Sequence, residues 1–353
     1  MENRSWRDNL IQIDPYSAGE QAVGRDVIKL NANENPYPPA PGVEAAIRGV
    51  QAEALRKYPQ IDSTDLRQAL ADYHGLASGS VFAGNGSDEV LAFAFRAFFN
   101  SSLPVLFPEI TYSFYPVWCR VFGIPYRRVP LAEGFRIDVA GYAGGNGGVV
   151  IANPNAPTGL CLERGQIEGL LRANSGSVVI IDEAYIDFGG LSSAGLTERH
   201  ENLLVTQTFS KGRSLAGLRI GAAFGSPELI RTLDAVKNSF NSYPIDSVAA
   251  AAGVASLSDE AYFKKRARQI AATRERAREA LEGMGFYATK SEANFLFVSH
   301  PGVDAVALQA YLKENGVLVR HFSQRGIERF LRISVGTEVQ MDRLLALIEK
   351  YLQ

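Results

Sequence analysis

Between Leu66 and Phe224 short apolar runs alternate with segments of helical period. Runs that are apolar at consecutive positions, rather than at every second one, belong to strands buried on both faces, as in parallel sheets. The pattern predicts strands at 81–82, 104–107, 149–152, 178–182, 203–208 and 219–224, linked through helices as βα units. Upstream, the stretch 30–39 holds too many Pro and Asn residues for helix or strand and reads as an extended arm, followed by a helix over 43–55. Downstream the pattern predicts an Ala-rich helix at 246–257 and a long charged helix at 259–284, with Phe263, Ala267, Ile270, Ala277, Leu281 and Met284 at helical spacing. The tail reads as strand, helix, strand, strand, helix at 294–298, 303–315, 317–322, 330–335 and 339–352. The expected class is α/β: a mostly parallel sheet flanked by helices plus a smaller α+β domain. The divisions fall at 1–40 (arm), 41–245 (large domain) and 246–353 (small domain).

The chain has 353 residues, 46% of them hydrophobic and 21% charged, enough for a large core and unlike disordered, collagenous or coiled-coil sequences. Lys plus Arg number 36 against 38 Asp plus Glu, so no global basic field draws nucleic acid or anionic lipid. On the long helix Glu275 and Glu279 interleave with Arg274, Arg276 and Arg278, the pattern of a solvated face. Cys119 and Cys161 are the only cysteines, too few for a disulfide framework, which suits a reducing cytoplasm. His74, His200, His300 and His321 are scattered and form no metal or triad pattern. The first eight residues lack a signal-peptide core, and no apolar run reaches membrane-spanning length.

Chemistry concentrates where strands end. The loop GNGSDE at 84–89 leaves a strand and enters a helix, so its free amides suit either a phosphate or an ordinary cap. Glu89 replaces the third glycine of a dinucleotide fingerprint, and no GxxxxGK[ST] loop exists. NPNAPTG at 153–159 follows one apolar run, and DEAY at 182–185 follows another, placing Asp182 where a charge is costly without a cationic partner. TFSKGRSLAG at 208–217 follows a third, with Arg219 two residues beyond it. A carboxylate, a lysine and a set of anion donors thus converge on one sheet edge. Pyridoxal 5'-phosphate needs all three: a lysine for its aldehyde, amides, hydroxyls and an arginine for its phosphate, and a carboxylate to keep its ring nitrogen protonated.

These motifs, in this order and spacing, resemble the fold type I, class II aminotransferases over essentially the whole chain. DPY at 14–16, KLNANENPYPP from Lys29, KYP at 57–59, VLVRHF from Val317 and FLRISVGT from Phe330 resemble the histidinol-phosphate aminotransferase branch. The resemblance implies Lys211 as the Schiff-base lysine and proton shuttle, and Asp182 at the pyridine nitrogen. It places Asn155 and Tyr185 at the phenolic oxygen, and Tyr112 on the ring. The cofactor phosphate falls to Gly86, the backbone at Ser87 and Asp88, the hydroxyls of Thr208 and Ser210 and the guanidinium of Arg219, with Tyr58 reaching it from a second subunit of a homodimer. Arg320 and Arg332 would take the substrate phosphate or the glutamate carboxylate, closed over by the neighbour's Tyr16, with Tyr243 bordering the pocket. The run NSFNSYPID at 238–246 departs from the branch's usual Pro-Tyr-Asn-x-Asn. An aromatic amino acid aminotransferase and a threonine-phosphate decarboxylase-like lyase share the same scaffold and stand as alternatives.

Overall fold

The computed structural model describes residues 6–15, 20 and 27–353, which leaves Tyr16 outside the described residues. In chain order the strands and helices of the first part are β1 (Ile28–Lys29), α1 (Pro41–Gly49), α2 (Thr64–His74), β2 (Val81–Asn85), α3 (Gly86–Phe98) and β3 (Val105–Pro108). There follow α4 (Tyr115–Phe122), β4 (Tyr126–Val129), β5 (Gly148–Ala152), α5 (Arg164–Ala173), β6 (Val179–Asp182), β7 (Leu203–Thr208) and β8 (Ile220–Gly225). The third group is α6 (Pro227–Phe240), α7 (Ser247–Ser258), α8 (Glu260–Gly283), β9 (Tyr287–Ala288) and β10 (Phe295–Ser299). The chain closes with α9 (Ala305–Glu314), β11 (Val317–Leu318), β12 (Arg320–His321), β13 (Leu331–Ser334) and α10 (Glu338–Leu352).

Seven strands form the large sheet in the order β2-β8-β7-β6-β5-β3-β4. Val149 and Ile151 pack into one layer with α2, α5 and α7, while Val150 and Ala152 pack into the other with α3, α4 and α6. Burial on both faces is the reason these strands read as unbroken apolar runs. β8 alone runs antiparallel to its neighbours β2 and β7, so its amino end lies at the carboxyl edge of the others. Edge strand β4 carries Arg127 and Arg128 exposed to solvent and has no apolar run to announce it.

A four-stranded antiparallel sheet, β12-β13-β10-β9, lies beyond. The segment 317–322, expected as one strand, is divided between two sheets: β11 pairs in parallel with β1 of the arm, and β12 pairs with β13. The helix expected over 43–55 stops at Gly49, and residues Ala52–Arg56 form a separate 3-10 turn. α7 was expected with the small domain, yet Ala249, Ala252 and Leu257 share one buried cluster with Leu66 of α2 and Val43 of α1. The packing boundary therefore falls within α8 rather than at 246. Arg274, expected on a solvated helix face, is 5% exposed and donates to the carbonyls of Phe188 (3.2 Å) and Ala293 (2.8 Å).

Candidate active site

A cavity of about 630 Å³ opens between the carboxyl edge of the large sheet and strands β12 and β13. Asp182, Lys211, Tyr185, Arg219, Arg320 and Arg332 all line it. This is where an open α/β sheet places its ligands, and β8's inverted direction lets Arg219 arrive at the same edge as Lys211.

Asp182 ends β6 at 3% exposure. Its Oδ2 accepts from the Tyr115 hydroxyl at 2.8 Å and its Oδ1 from Thr206 Oγ1 at 3.3 Å. Burial pushes its carboxyl up to about 6, while those two hydroxyls pull the other way. At neutral pH and above it is an anion held for a cation. Across the cavity Lys211 lies three residues past β7, its Nζ donating to the carbonyl of Ala32 at 3.1 Å. Its side chain is half-buried, and desolvation with the nearby Arg332 charge brings its ammonium down to about 8. A large neutral fraction is thus available at mildly alkaline pH, as a nucleophile requires.

The anion cradle is built on a close backbone crossing. A Cβ on Gly221 would fall 2.4 Å from the Gly86 carbonyl carbon and 2.5 Å from the Ser87 nitrogen, so glycine there lets β8 pass beneath the start of α3. Gly86 itself sits at φ +77, and a Cβ on it would meet Arg219 Nη2 at 2.6 Å. Arg219 precedes β8 in the left-handed region (φ 52), not within the strand as expected. From there its Nη1 donates to Ser210 Oγ (3.2 Å) and its Nη2 to Asp88 Oδ2 (3.1 Å). Thr208 Oγ1 donates to Ser210 Oγ at 3.1 Å, and the Tyr112 hydroxyl to Asp88 Oδ1 at 2.7 Å. Every expected phosphate contact of this chain is gathered here, with the Asp88 carboxylate engaging two of the donors.

Arg320 and Arg332 are register partners across β12 and β13, each with its guanidinium near the Phe322 ring, at 5.8 and 5.6 Å from the centroid. Arg332 Nη2 donates to the carbonyl of Asn31 at 3.0 Å. His321, read from sequence as uninvolved, also lines the cavity and contacts the carbonyl of Glu328. Tyr185 lies with its ring centroid 5.8 Å from Lys211 Nζ, and its hydroxyl accepts from Asn33 Nδ2 at 3.0 Å.

Other expected residues lie elsewhere. Asn155, expected at a phenolic oxygen, is 1% exposed and does not line the cavity. Its two amide protons go to the Ile110 carbonyl and Thr158 Oγ1, both at 3.0 Å, and its oxygen accepts from Thr111 Oγ1 at 2.8 Å. Asn155 therefore braces the loop that carries it. Tyr58 and Tyr243 stack on each other, centroids 4.6 Å apart, outside this cavity, and Tyr58 is 82% exposed. Among the described residues no His, Cys, Asp and Glu cluster is arranged to hold a metal ion, and no helix is long and apolar enough to cross a membrane. Tyr115 and Thr206 are not among the site residues expected from sequence, and the 31–35 segment reads there as part of the arm and of a branch motif without site contacts; the three-residue step from Tyr112 to Tyr115 is the available signal for the first.

Residues 25–348 match the sequence profile of the family described as aminotransferase class I and II. The chain belongs to that family. The aminotransferase is 52% identical to the histidinol-phosphate aminotransferase of Lactococcus lactis subsp. cremoris (strain MG1363) over 349 residues, 99% of this chain and 98% of that one. It is 51% identical over 347 residues to the enzyme of the same name from Chromohalobacter salexigens, covering 98% and 99% of the two chains. Among solved structures, histidinol-phosphate aminotransferase from Sinorhizobium meliloti in complex with pyridoxal 5'-phosphate superposes with a TM-score of 0.85 at 27% identity, over 93% of this chain and 92% of that one. Aminotransferases of this family work with pyridoxal 5'-phosphate. The donor set here fits that cofactor: a buried carboxylate, a lysine of lowered pKa, and a hydroxyl, amide and guanidinium cradle formed where two glycine backbones cross.

Proposed function

We propose that this aminotransferase exchanges the amino group between L-histidinol phosphate and 2-oxoglutarate, in histidine biosynthesis. The observation that carries the reading is the pair Arg320 and Arg332, side by side beside Phe322 on the cavity wall that includes Lys211. Two planar guanidiniums match a phosphate dianion in one half-reaction and a glutamate carboxylate in the other. Full-length identity near half to enzymes bearing that name supports it.

When bound, the cofactor supplies an electron sink for the pair left as the substrate's Cα–H bond breaks. Asp182 would keep a proton on the ring nitrogen, Tyr112 would pack on the ring, and Tyr185 would donate to the phenolic oxygen. Gly86, Ser87, Asp88, Thr208, Ser210 and Arg219 form the phosphate seat. Lys211 Nζ would take the proton from Cα as general base and then, as its conjugate acid, give it back. Tyr58, with Tyr243 stacked on it, faces outward and suits a second copy of the chain in a homodimer, which would supply Tyr16 as well. Cys119 and Cys161 are free thiols, in keeping with a cytoplasmic enzyme.

Single-turnover reaction of the holoenzyme with L-histidinol phosphate, L-phenylalanine and L-glutamate, read by loss of the cofactor's visible absorbance, tests the substrate. Fast conversion by the first and last with phenylalanine slow is expected. Preference for phenylalanine, or carbon dioxide release from a phosphorylated amino acid, overturns the reading.

A further inference from the structure

We propose that Asn33 is a positioning residue that turns the Tyr185 hydroxyl proton toward the cavity, an inference that rests on the reading of Tyr185 as a donor to the cofactor's phenolic oxygen. Asn33 is 1% exposed and adopts φ 54, a left-handed conformation that Asn tolerates better than most residues. Each of its polar groups is engaged. The backbone N–H donates to Ser334 Oγ (2.8 Å), and the backbone carbonyl accepts from Asn294 Nδ2 (3.0 Å). Its Oδ1 accepts from the Ser334 hydroxyl (3.0 Å). Turning the amide over would leave the buried Ser334 hydroxyl proton without the Oδ1 that accepts it here, so Nδ2 is the group that faces Tyr185.

A phenol has one proton. Accepting from Asn33, Tyr185 has no acceptor on that side and directs its own proton the other way, into the cavity. The charged groups about Tyr185 and Lys211 are Arg332, Asp182 and Asp88, with Glu34 and Arg219 also acting on Lys211. The same segment fixes the lysine: Ala32 accepts from Lys211 Nζ, and Asn35 Nδ2 donates to the carbonyls of Lys211 (3.0 Å) and Gly212 (3.1 Å). Asn33 therefore orients one member of a group of residues that this segment holds in register.

Asn33→Asp keeps the shape and the Ser334 acceptor but presents no proton, so Tyr185 must donate to residue 33 and withdraw from the cavity. The readout is the pH midpoint of the bound cofactor's visible absorbance, in the wild type, Asn33→Asp, Tyr185→Phe and the double variant. Losing a donor at the phenolic oxygen leaves that oxygen holding the adjacent proton more tightly, so Tyr185→Phe raises the midpoint by about one unit. Asn33→Asp raises it in the same direction, and adds nothing in the Tyr185→Phe background. A midpoint unmoved by Asn33→Asp, or a shift that persists undiminished without the Tyr185 hydroxyl, overturns the proposal, the second by marking a through-space charge effect. No shift from Tyr185→Phe removes the reading of Tyr185, and the proposal with it, and is distinguishable because it needs no change at Asn33. If Asn33→Asp does not yield folded protein, Asn33→Gly keeps the left-handed backbone and drops the amide; an unchanged midpoint there is equally decisive against the proposal.

Discussion

Tyr115→Phe removes one oxygen atom and isolates what holds Asp182 ionised. Both groups are buried, at 0% and 3% exposure, and their hydrogen bond of 2.8 Å is the shorter of the two that side chains give the carboxylate. The remaining one, from Thr206, is at 3.3 Å. A hydrogen bond to a buried charge contributes about 1.5–3 kcal/mol. At about 1.4 kcal/mol per unit, its loss lifts the Asp182 carboxyl by about one to two units. From its value of about 6 it moves into the neutral range, between roughly 7 and 8. The assay is cofactor affinity of the apo-protein against pH, wild type beside variant, so that the cofactor's own titrations cancel. The wild type holds its affinity down to about pH 6. The variant begins to lose it one to two units higher, by about the shift just worked out. Stability of the apo-protein runs the other way with pH: the folded value lies above the unfolded 3.8, so ionising Asp182 costs stability as pH rises through that window, and the variant carries the loss to higher pH. Superimposable affinity curves would refute the assignment of Tyr115 as the carboxylate's chief support.

Capture of free pyridoxal phosphate by apo-protein needs a neutral amine, so in stopped-flow its rate rises with pH and levels above about 8; a rate flat across that range counts against the lowered Lys211 pKa. Arg332→Lys replaces a planar fork by a point charge, and steady-state kinetics should show KM for histidinol phosphate raised about tenfold or more with kcat less affected. Gly221→Ala forces apart the backbone crossing at Gly86, which should destabilise the apo-protein by about 1–3 kcal/mol in thermal unfolding and weaken cofactor retention on dialysis.

The central strands were readable because both faces are buried, and Lys211 and Asp182 were readable because each follows such a run. Strand β4 escaped for the opposite reason, having one exposed edge and two arginines. No local signal distinguishes β8 as antiparallel, since direction is set by its neighbours and not by its composition. The break of 317–322 at Val319 follows from two different pairing partners, β1 and β13, each hydrogen-bonding only two residues of it. Asn155 sits in its motif as expected, but its amide serves the loop rather than the cavity. The contacts of Asn33 were invisible for a plainer reason: Ser334 and Tyr185 lie 301 and 152 positions away, beyond any periodic pattern.

That separation bears on how the enzyme is made. Bringing residue 33 to residue 334 closes a loop of nearly the whole polypeptide, an entropic demand that local structure cannot meet in advance. The large sheet can collapse once α6 and α7, which cover its two faces, have followed β8 from the ribosome, yet the segment that holds Lys211 and Tyr185 in place waits for β13. A nascent chain halted before Ser334 therefore presents a folded sheet with an unfinished catalytic edge. The catalytic edge is complete only when those two distant segments meet.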